Sequence, residues 1–120
     1  MTLKPVNLAD KLAQFSEHWS PKIIAEMNDH QLKLARFQGE FVWHSHADTD
    51  ELFIVLDGSM TIHFRNGEVR VQAGELFVVP RGLEHKTSAA LECKVLIVEK
   101  NGTVNTGNTL GDLTSPAAWI

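Results

Sequence analysis

The chain has 120 residues, of which 43% are hydrophobic. This suits a single domain with one core and excludes a disordered chain. Eleven basic and fifteen acidic side chains give a net charge of -4, which argues against nucleic acid or an anionic membrane as the main partner. No apolar run approaches the roughly 18 residues of a membrane span, and the N-terminus is too polar for a signal peptide. We therefore expect a cytoplasmic protein.

The first predicted element is a short helix. Asn7 is a candidate N-cap, and Leu8, Leu12 and Phe15 recur at helical spacing. Pro21 closes this region. We therefore predict an N-terminal arm with one helix over residues 1–22.

Short strands follow in close succession. The segments KIIAEM and QLKLARF flank the turn NDH, and QGE interrupts the pattern before FVWHSH. Next come ELFIVLDG, MTIHF, a tight turn at Asn66 and Gly67, EVRVQA, GELFVVP and CKVLIVE, in which Cys93 is a predicted buried side chain. This spacing predicts an all-β sandwich or barrel over residues 23–100. A tail over residues 101–120 ends in Trp119 and Ile120, which need an apolar surface on the same subunit or on a partner.

The run LFIVL lacks the apolar–polar alternation of a strand with one wet face. Both of its faces must then be covered. We expect a homodimer in which the partner covers the outer face. A two-sheet sandwich that covers both faces within one chain is the alternative.

Two histidines stand two residues apart in the segment HSHADTDE. On a strand, His44 and His46 would point to the same face, about 7 Å apart along the chain, so that both imidazoles can reach one ion. Glu51 opens the next predicted strand close to them. His85 lies far along the chain in the loop PRGLEH and becomes a third imidazole if that loop returns to the same end of the barrel.

The pattern of glycines and prolines around these residues resembles the motifs of the cupin superfamily. GEFVWHSHADTDELFIVLDG fits the family's first motif, with one residue fewer than usual between Gly39 and His44. GELFVVPRGLEH fits the second motif through His85, whereas Ala89 replaces its final Asn. The resemblance implies a cupin jelly-roll β-barrel, also called a double-stranded β-helix, with the short N-terminal helix added. It also implies a metal site of three histidines and one glutamate: His44, His46, Glu51 and His85.

Four protein ligands leave two adjacent positions on an octahedral ion for water, dioxygen or a bidentate substrate. The donor set suits Fe, Mn, Ni, Zn or Cu and does not select among them. We expect a small metal-dependent enzyme that acts on a compact oxygenated metabolite, in a sugar isomerase-like or a dioxygenase-like reaction, with its catalytic residues unassigned. The alternative is a non-catalytic module that binds a metal or a small ligand.

Four further side chains are candidates for the pocket wall. Val42 alternates in step with His44 and His46, and Phe53 and Val55 alternate in step with Glu51, so each would share a strand face with those residues. Core packing is the other interpretation of all three. Arg36 is the one cationic candidate, unless it is a charge on the strand surface. His63 alternates with apolar neighbours, so we expect it on the outer face, in solvent or at an interface.

Overall fold

Eight strands and one short helix form the part of the chain that the computed structural model describes, residues 3–120. Within that range no helix is long and apolar enough to cross a membrane. The elements confirm the predicted all-β fold with an N-terminal helix. They are α1 Leu8–Leu12, β1 Lys22–Met27, β2 His30–Glu40, β3 Glu51–Asp57, β4 Ser59–Phe64, β5 Gly67–Gln72, β6 Leu76–Val79, β7 Lys86–Lys100 and β8 Ala118–Trp119.

The long strand β7 joins the two sides of the barrel. Its C-terminal half pairs with β3 on one edge and β2 on the other, and β6 and β1 extend these edges. Its N-terminal half pairs with β4, which pairs with β5. These pairs are antiparallel, whereas β8 lies parallel to β1. The strands thereby enclose one apolar interior.

The interior is filled by alternate residues of the strands. A buried aliphatic or aromatic side chain contributes about 1.5–3 kcal/mol relative to an exposed one, so burial of this set stabilises the barrel. Cys93 belongs to it, as predicted, and burial raises the pKa of its thiol to about 12. The other members include Ala35, Phe37, Phe53, Val55, Met60, Ile62, Val71, Val79, Val95 and Ile97.

The helix covers part of the barrel's outer face. The Asn7 side chain accepts a hydrogen bond from the Asp10 backbone N–H over 2.9 Å, as expected of an N-cap. The end of the described chain docks beside the helix, because the Ile120 N–H donates to the Ile23 carbonyl over 3.1 Å. Ile120 therefore docks on the same subunit, whereas Trp119 pairs with β1 through its backbone and keeps a side chain that is 56% exposed. The buried members of this second apolar cluster are Leu12, Phe15, Ile24 and Leu34, with Ile120 packed against them.

Arg36 lies on the outer face, which corrects its prediction as a pocket residue. Its guanidinium donates to the carbonyls of Phe15 and Leu12, over 3.0 and 2.7 Å. It also donates to the Glu92 carboxylate over 2.7 Å. The neighbouring Ala35 and Phe37 point into the barrel, so Arg36 must point outward, where it satisfies carbonyls at the end of α1.

The segment FVWHSH is not a regular strand, although the sequence predicted one. The predicted interruption QGE instead lies inside β2, whose register shifts between Phe37 and Gly39. Beyond Glu40 the backbone leaves the ladder and makes single contacts with the second motif. His44 and His85 form one isolated bridge there, with both N–H groups donating over 2.9 Å.

Candidate metal centre

Four buried side chains converge at one end of the barrel. The ligand atoms of His44, His46, Glu51 and His85 all lie within 4.8 Å of one another. None of the four residues is more than 7% exposed. The structure thus brings together all four residues that the two motifs predicted, in an arrangement that could hold one metal ion.

Backbone hydrogen bonds position these side chains. The isolated bridge places His44 and His85 directly opposite each other, with ring centroids 4.3 Å apart. The His46 carbonyl accepts from the Gly82 N–H over 2.7 Å. Gly82 adopts a φ of +77°, a conformation that favours glycine. Glu51 is the first residue of β3 and pairs with Val79 of β6.

Backbone carbonyls fix the orientation of two of the histidine rings. His44 Nδ1 donates to the Val42 carbonyl over 2.8 Å, and His85 Nδ1 donates to the Leu83 carbonyl over 2.9 Å. A carbonyl only accepts, so each Nδ1 carries a proton, and Nε2 is the ring nitrogen left to bind a metal ion. His85 Nε2 nevertheless lies 3.2 Å from Glu51 Oε1. Two acceptors at this distance require a cation between them, either a proton or a metal ion.

His46 supplies an independent indication of a metal. Its Nε2 is buried and finds no hydrogen-bond partner among the described residues. It lies 3.5 Å from Glu51 Oε1, which is too far for a good hydrogen bond. A buried nitrogen left in this state costs about 1–3 kcal/mol. Coordination to a shared ion would satisfy it, so the four residues fit a metal site.

Burial keeps His44 neutral. Desolvation, reinforced by the nearby His85, lowers the pKa of His44 from 6.5 to about 4. At neutral pH the imidazole is therefore unprotonated, which is the form that binds a metal.

Acidification is expected to destabilise the metal-free protein between pH 6.5 and about pH 4, the ordinary and the folded-state pKa of His44. The unfolded chain takes up the proton first as the pH falls, so stability is lost through this window. The loss is on the order of 3 kcal/mol, at about 1.4 kcal/mol per pH unit. Urea unfolding at pH 7 and pH 4.5 measures it. His44→Gln should reduce the pH dependence, and an equal dependence in this variant would contradict the assignment to His44.

A second buried carboxyl group lies beside the centre. Burial raises the pKa of Glu51, but its contacts with His46 and His85 outweigh burial and hold it well below the usual range. Burial and the negative charge of Glu51 raise the pKa of Glu99 well above that range, against the opposing charge of Lys33. Of the two carboxyl groups, Glu51 is thus the one that stays ionised, as a metal ligand requires.

A narrow cavity of about 20 Å³ adjoins the ligand residues His44 and Glu51. Trp19 closes it and stacks on Phe37 and Phe41, with ring centroids 4.4 and 4.7 Å away. The other lining residues are Pro21, Phe53, Thr87, Ile97, Glu99 and Asn105.

The three apolar side chains predicted for the pocket wall lie in different parts of the structure. Phe53 lines the cavity. Val55 is fully buried in the barrel core, and Val42 packs against that core half-buried; neither lines the cavity. His63 lies on the outer face, as predicted, with its Nε2 2.7 Å from Ser88 Oγ.

The C-terminal tail packs on the loop that carries His44 and His46, a contact that the sequence did not predict. Asn108 accepts from the Ser45 N–H over 3.0 Å and donates through its own N–H to the Ser45 carbonyl over 3.2 Å. Asn105 donates to the Trp19 carbonyl over 3.1 Å. The polar composition of the tail contains no signal for these contacts.

Lys33 and Glu99 were missed too, although a signal existed. The last strong strand places Val95, Ile97 and Glu99 on one face, because alternate residues of a strand share a face. If Val95 and Ile97 point into the apolar interior, the charged Glu99 must point there too. The side chains of Lys33 and Glu99 indeed meet inside the barrel, over 2.9 Å.

Comparison with known proteins follows this geometry. The cupin domain model matches residues 34–99, more than half of the chain. The chain belongs to the cupin domain family. Both motifs, and hence all four ligand residues, lie inside the matched range. The family and the predicted cupin jelly-roll barrel are thereby confirmed.

This cupin is similar to one curated protein by sequence and to solved structures by fold. The uncharacterized protein YdbB of Bacillus subtilis (strain 168) is 44% identical over 77 residues, which are 63% of this chain and 68% of YdbB. The crystal structure of a cupin-2 domain containing protein from Shewanella frigidimarina NCIMB 400 is 54% identical, with a TM-score of 0.79, over 80% of this chain and 94% of that one. Hydroquinone 1,2-dioxygenase from Sphingomonas sp. TTNP3, with 4-hydroxybenzoate bound, shares the fold at 16% identity and a TM-score of 0.68, over 78% and 72% of the two chains.

Proposed function

We propose that this cupin is a small mononuclear metal-dependent enzyme that acts on a compact oxygenated metabolite. The observation that carries the proposal is the buried set of three histidines and one glutamate. In it, one imidazole nitrogen has no partner among the described residues, and another lies 3.2 Å from a carboxylate oxygen. Burying these polar side chains costs free energy unless a cation binds them.

The roles of the residues follow from their positions. His44, His46, Glu51 and His85 would hold the ion. When bound, a transition metal at such a site polarises a carbonyl or hydroxyl oxygen or binds dioxygen. The aromatic side chains of Trp19, Phe37 and Phe41 exclude bulk water from the ligands. The tail packs on the other side, where Asn108 binds the backbone of Ser45.

The lining of the cavity favours a substrate without a phosphate group. None of its lining residues is Lys or Arg. Arg36 points outward, and the Lys33 ammonium is already paired with Glu99. This argues against a sugar phosphate as the substrate of an isomerase-like reaction. The aromatic wall favours a partly apolar substrate and hence the dioxygenase-like version.

Substrate entry requires the aromatic wall to move. A cavity of about 20 Å³ holds one water-sized group. Trp19 adopts a φ of +59°, an unfavourable conformation for a residue with a Cβ. The proposal therefore includes a displacement of Trp19 when a larger substrate binds.

Metal analysis of the purified protein, followed by activity assays, tests the proposal. We expect one equivalent of Fe, Mn, Ni, Cu or Zn per chain. Iron together with oxygen uptake on dihydroxybenzenes would support the dioxygenase-like version. Zinc or manganese with isomerised neutral sugars and no oxygen uptake would support the isomerase-like version. A protein that binds none of these ions after reconstitution would refute both.

The second candidate is a non-catalytic metal-binding module. The observation in its favour is the enclosure of the site, since the ligand residues are buried and the cavity is small. Stoichiometric metal that raises the melting temperature, with no turnover of any oxygenated substrate tested, would favour it.

The proposal also includes a homodimer and a cytoplasmic location. Leu52 and Ile54 of β3 are only half-buried on the outer face, and neighbouring Leu76 and Val78 of β6 are 60% and 46% exposed. A second copy would cover this apolar strip. We expect a dimeric mass by light scattering and a monomeric mass for Leu76→Glu. A monomeric wild type would remove the dimer from the proposal.

A further inference from the structure

A buried lysine–glutamate pair adjoins the candidate metal centre. Lys33 of β2 and Glu99 of β7 are each 1% exposed. Lys33 Nζ donates to Glu99 Oε1 over 2.9 Å and to the Thr103 carbonyl over 3.4 Å. Apolar residues of similar volume often stabilise a fold as well as a buried ion pair does. Stability alone therefore gives a weak reason for a pair in this position.

The second carboxyl oxygen of Glu99 has no N–H donor among the described residues. Glu99 lines the same cavity as the ligand residues His44 and Glu51. No N–H donor within residues 3–120 reaches its Oε2, which is fully buried. The Glu51 carboxyl group lies within hydrogen-bond reach of Glu99, and a metal ion bound to Glu51 would compete for that contact. An oxygen in this state carries a free-energy penalty. The cavity beside it has room for one water-sized group, so a water or a single hydroxyl would remove the penalty.

We propose that Glu99 positions a neutral, hydroxyl-bearing ligand at the metal centre, and that Lys33 orients Glu99 for this task. The inference rests on the proposed function, because the ligand it positions is the one that the metal would bind. Oε2 forms a hydrogen bond with the ligand's hydroxyl group, while Lys33 holds Oε1 and so fixes the plane of the carboxyl group.

The charges around the cavity determine the class of ligand. Two carboxyl groups, Glu51 and Glu99, face the cavity, and no lining residue is Lys or Arg. Lys33, the lysine that contacts Glu99, is occupied by that carboxyl group and by a backbone carbonyl. Apart from the ion itself, a phosphate or carboxylate would thus meet no cationic side chain in the cavity, whereas a hydroxyl finds an acceptor. The site therefore selects a diol or a phenol over an acid of the same size.

The test uses full-length protein loaded with Co²⁺, whose visible absorption reports on bound ligands. Wild type, Glu99→Gln, Lys33→Met and the exposed control Glu26→Gln are titrated with catechol, a neutral diol, and with oxalate, a dianion. We expect unchanged Co²⁺ content in all four. We expect catechol to bind at least tenfold more weakly to Glu99→Gln and Lys33→Met, with oxalate binding unchanged or tighter. A merely structural role would weaken both probes alike.

A crystal structure of the Co²⁺-loaded wild type provides a test that requires no variant to fold. We expect an ordered water oxygen within about 3 Å of Glu99 Oε2. An Oε2 whose only neighbour is the Glu51 carboxyl group would overturn the inference. Equal catechol affinity in Glu99→Gln, or no catechol binding by Co²⁺-loaded wild type, would overturn it while leaving the metal site intact. A wild type that takes up no metal would refute the proposed function itself.

Discussion

Replacing His46 with alanine is expected to remove most of the bound metal while the barrel still folds. The substitution deletes one of four ligands whose donor atoms lie within 4.8 Å of one another. We expect metal affinity to fall by more than the roughly 10–100-fold that loss of a residue behind the ligands causes. His46 lies outside the regular strands, and its Nε2 has no partner in the described structure. Elemental analysis and the melting temperature of the metal-free proteins measure the two effects.

His63→Ala is the matched control for that experiment. His63 is a half-buried histidine on the outer face, within reach of Ser88 and Glu68 but of none of the ligand residues. We expect wild-type metal content in this variant. Full metal content in His46→Ala, or a large loss in His63→Ala, would show that the metal binds elsewhere.

Gly107→Ala is expected to produce the largest loss of stability among single-methyl changes in the tail. A Cβ at this position would overlap the Ser45 carbonyl and come within 3.2 Å of His46 Nδ1. Gly107 also adopts a φ of +55°. The left-handed backbone costs about 1–2 kcal/mol for a residue with a Cβ, and overpacking adds about 1–3 kcal/mol. We expect a loss of about 2–5 kcal/mol in denaturant unfolding, with weaker metal retention because the tail is pushed away from His46.

The variant Gly102→Ala separates the cost of the left-handed backbone from the cost of overpacking. Gly102 has a similar φ of +79°, but a Cβ there would meet nothing within 4 Å. We expect only the backbone cost, about 1–2 kcal/mol, and unchanged metal retention. Equal losses in the two variants would mean that the tail does not pack on the ligand loop as the structure describes.

The sequence predicted the four candidate metal ligands because each one belongs to a short local pattern. His44 and His46 are two residues apart, and Glu51 follows one turn later. His85 stands in a loop that Pro80 and Gly82 shape. Their types and spacing indicated a shared site before any distance was known. The same patterns predicted the strand turns, since Asn66 and Gly67 need no distant partner to form one.

Arg36 was placed wrongly because β2 is apolar on both faces. Leu34 on one face and Ala35 and Phe37 on the other are all buried, so alternation along the strand does not reveal which face is inside. The helix α1 covers the outer face, and only that packing directs Arg36 toward the end of the helix. The homodimer was predicted from the same kind of two-sided strand, and it stays a prediction.

The sequence by itself determined the family, the all-β architecture and the identity of the four candidate ligands, because these depend on residue types at short separations. Only the tertiary structure decided the surroundings of the site. Lys33 and Glu99 are 66 residues apart along the chain, and Asn105 and Trp19 are 86 apart. Such contacts depend on strand register and on the path of an irregular tail. No local periodicity encodes either, so the residues that shape the ligand's environment emerge only when the chain is folded.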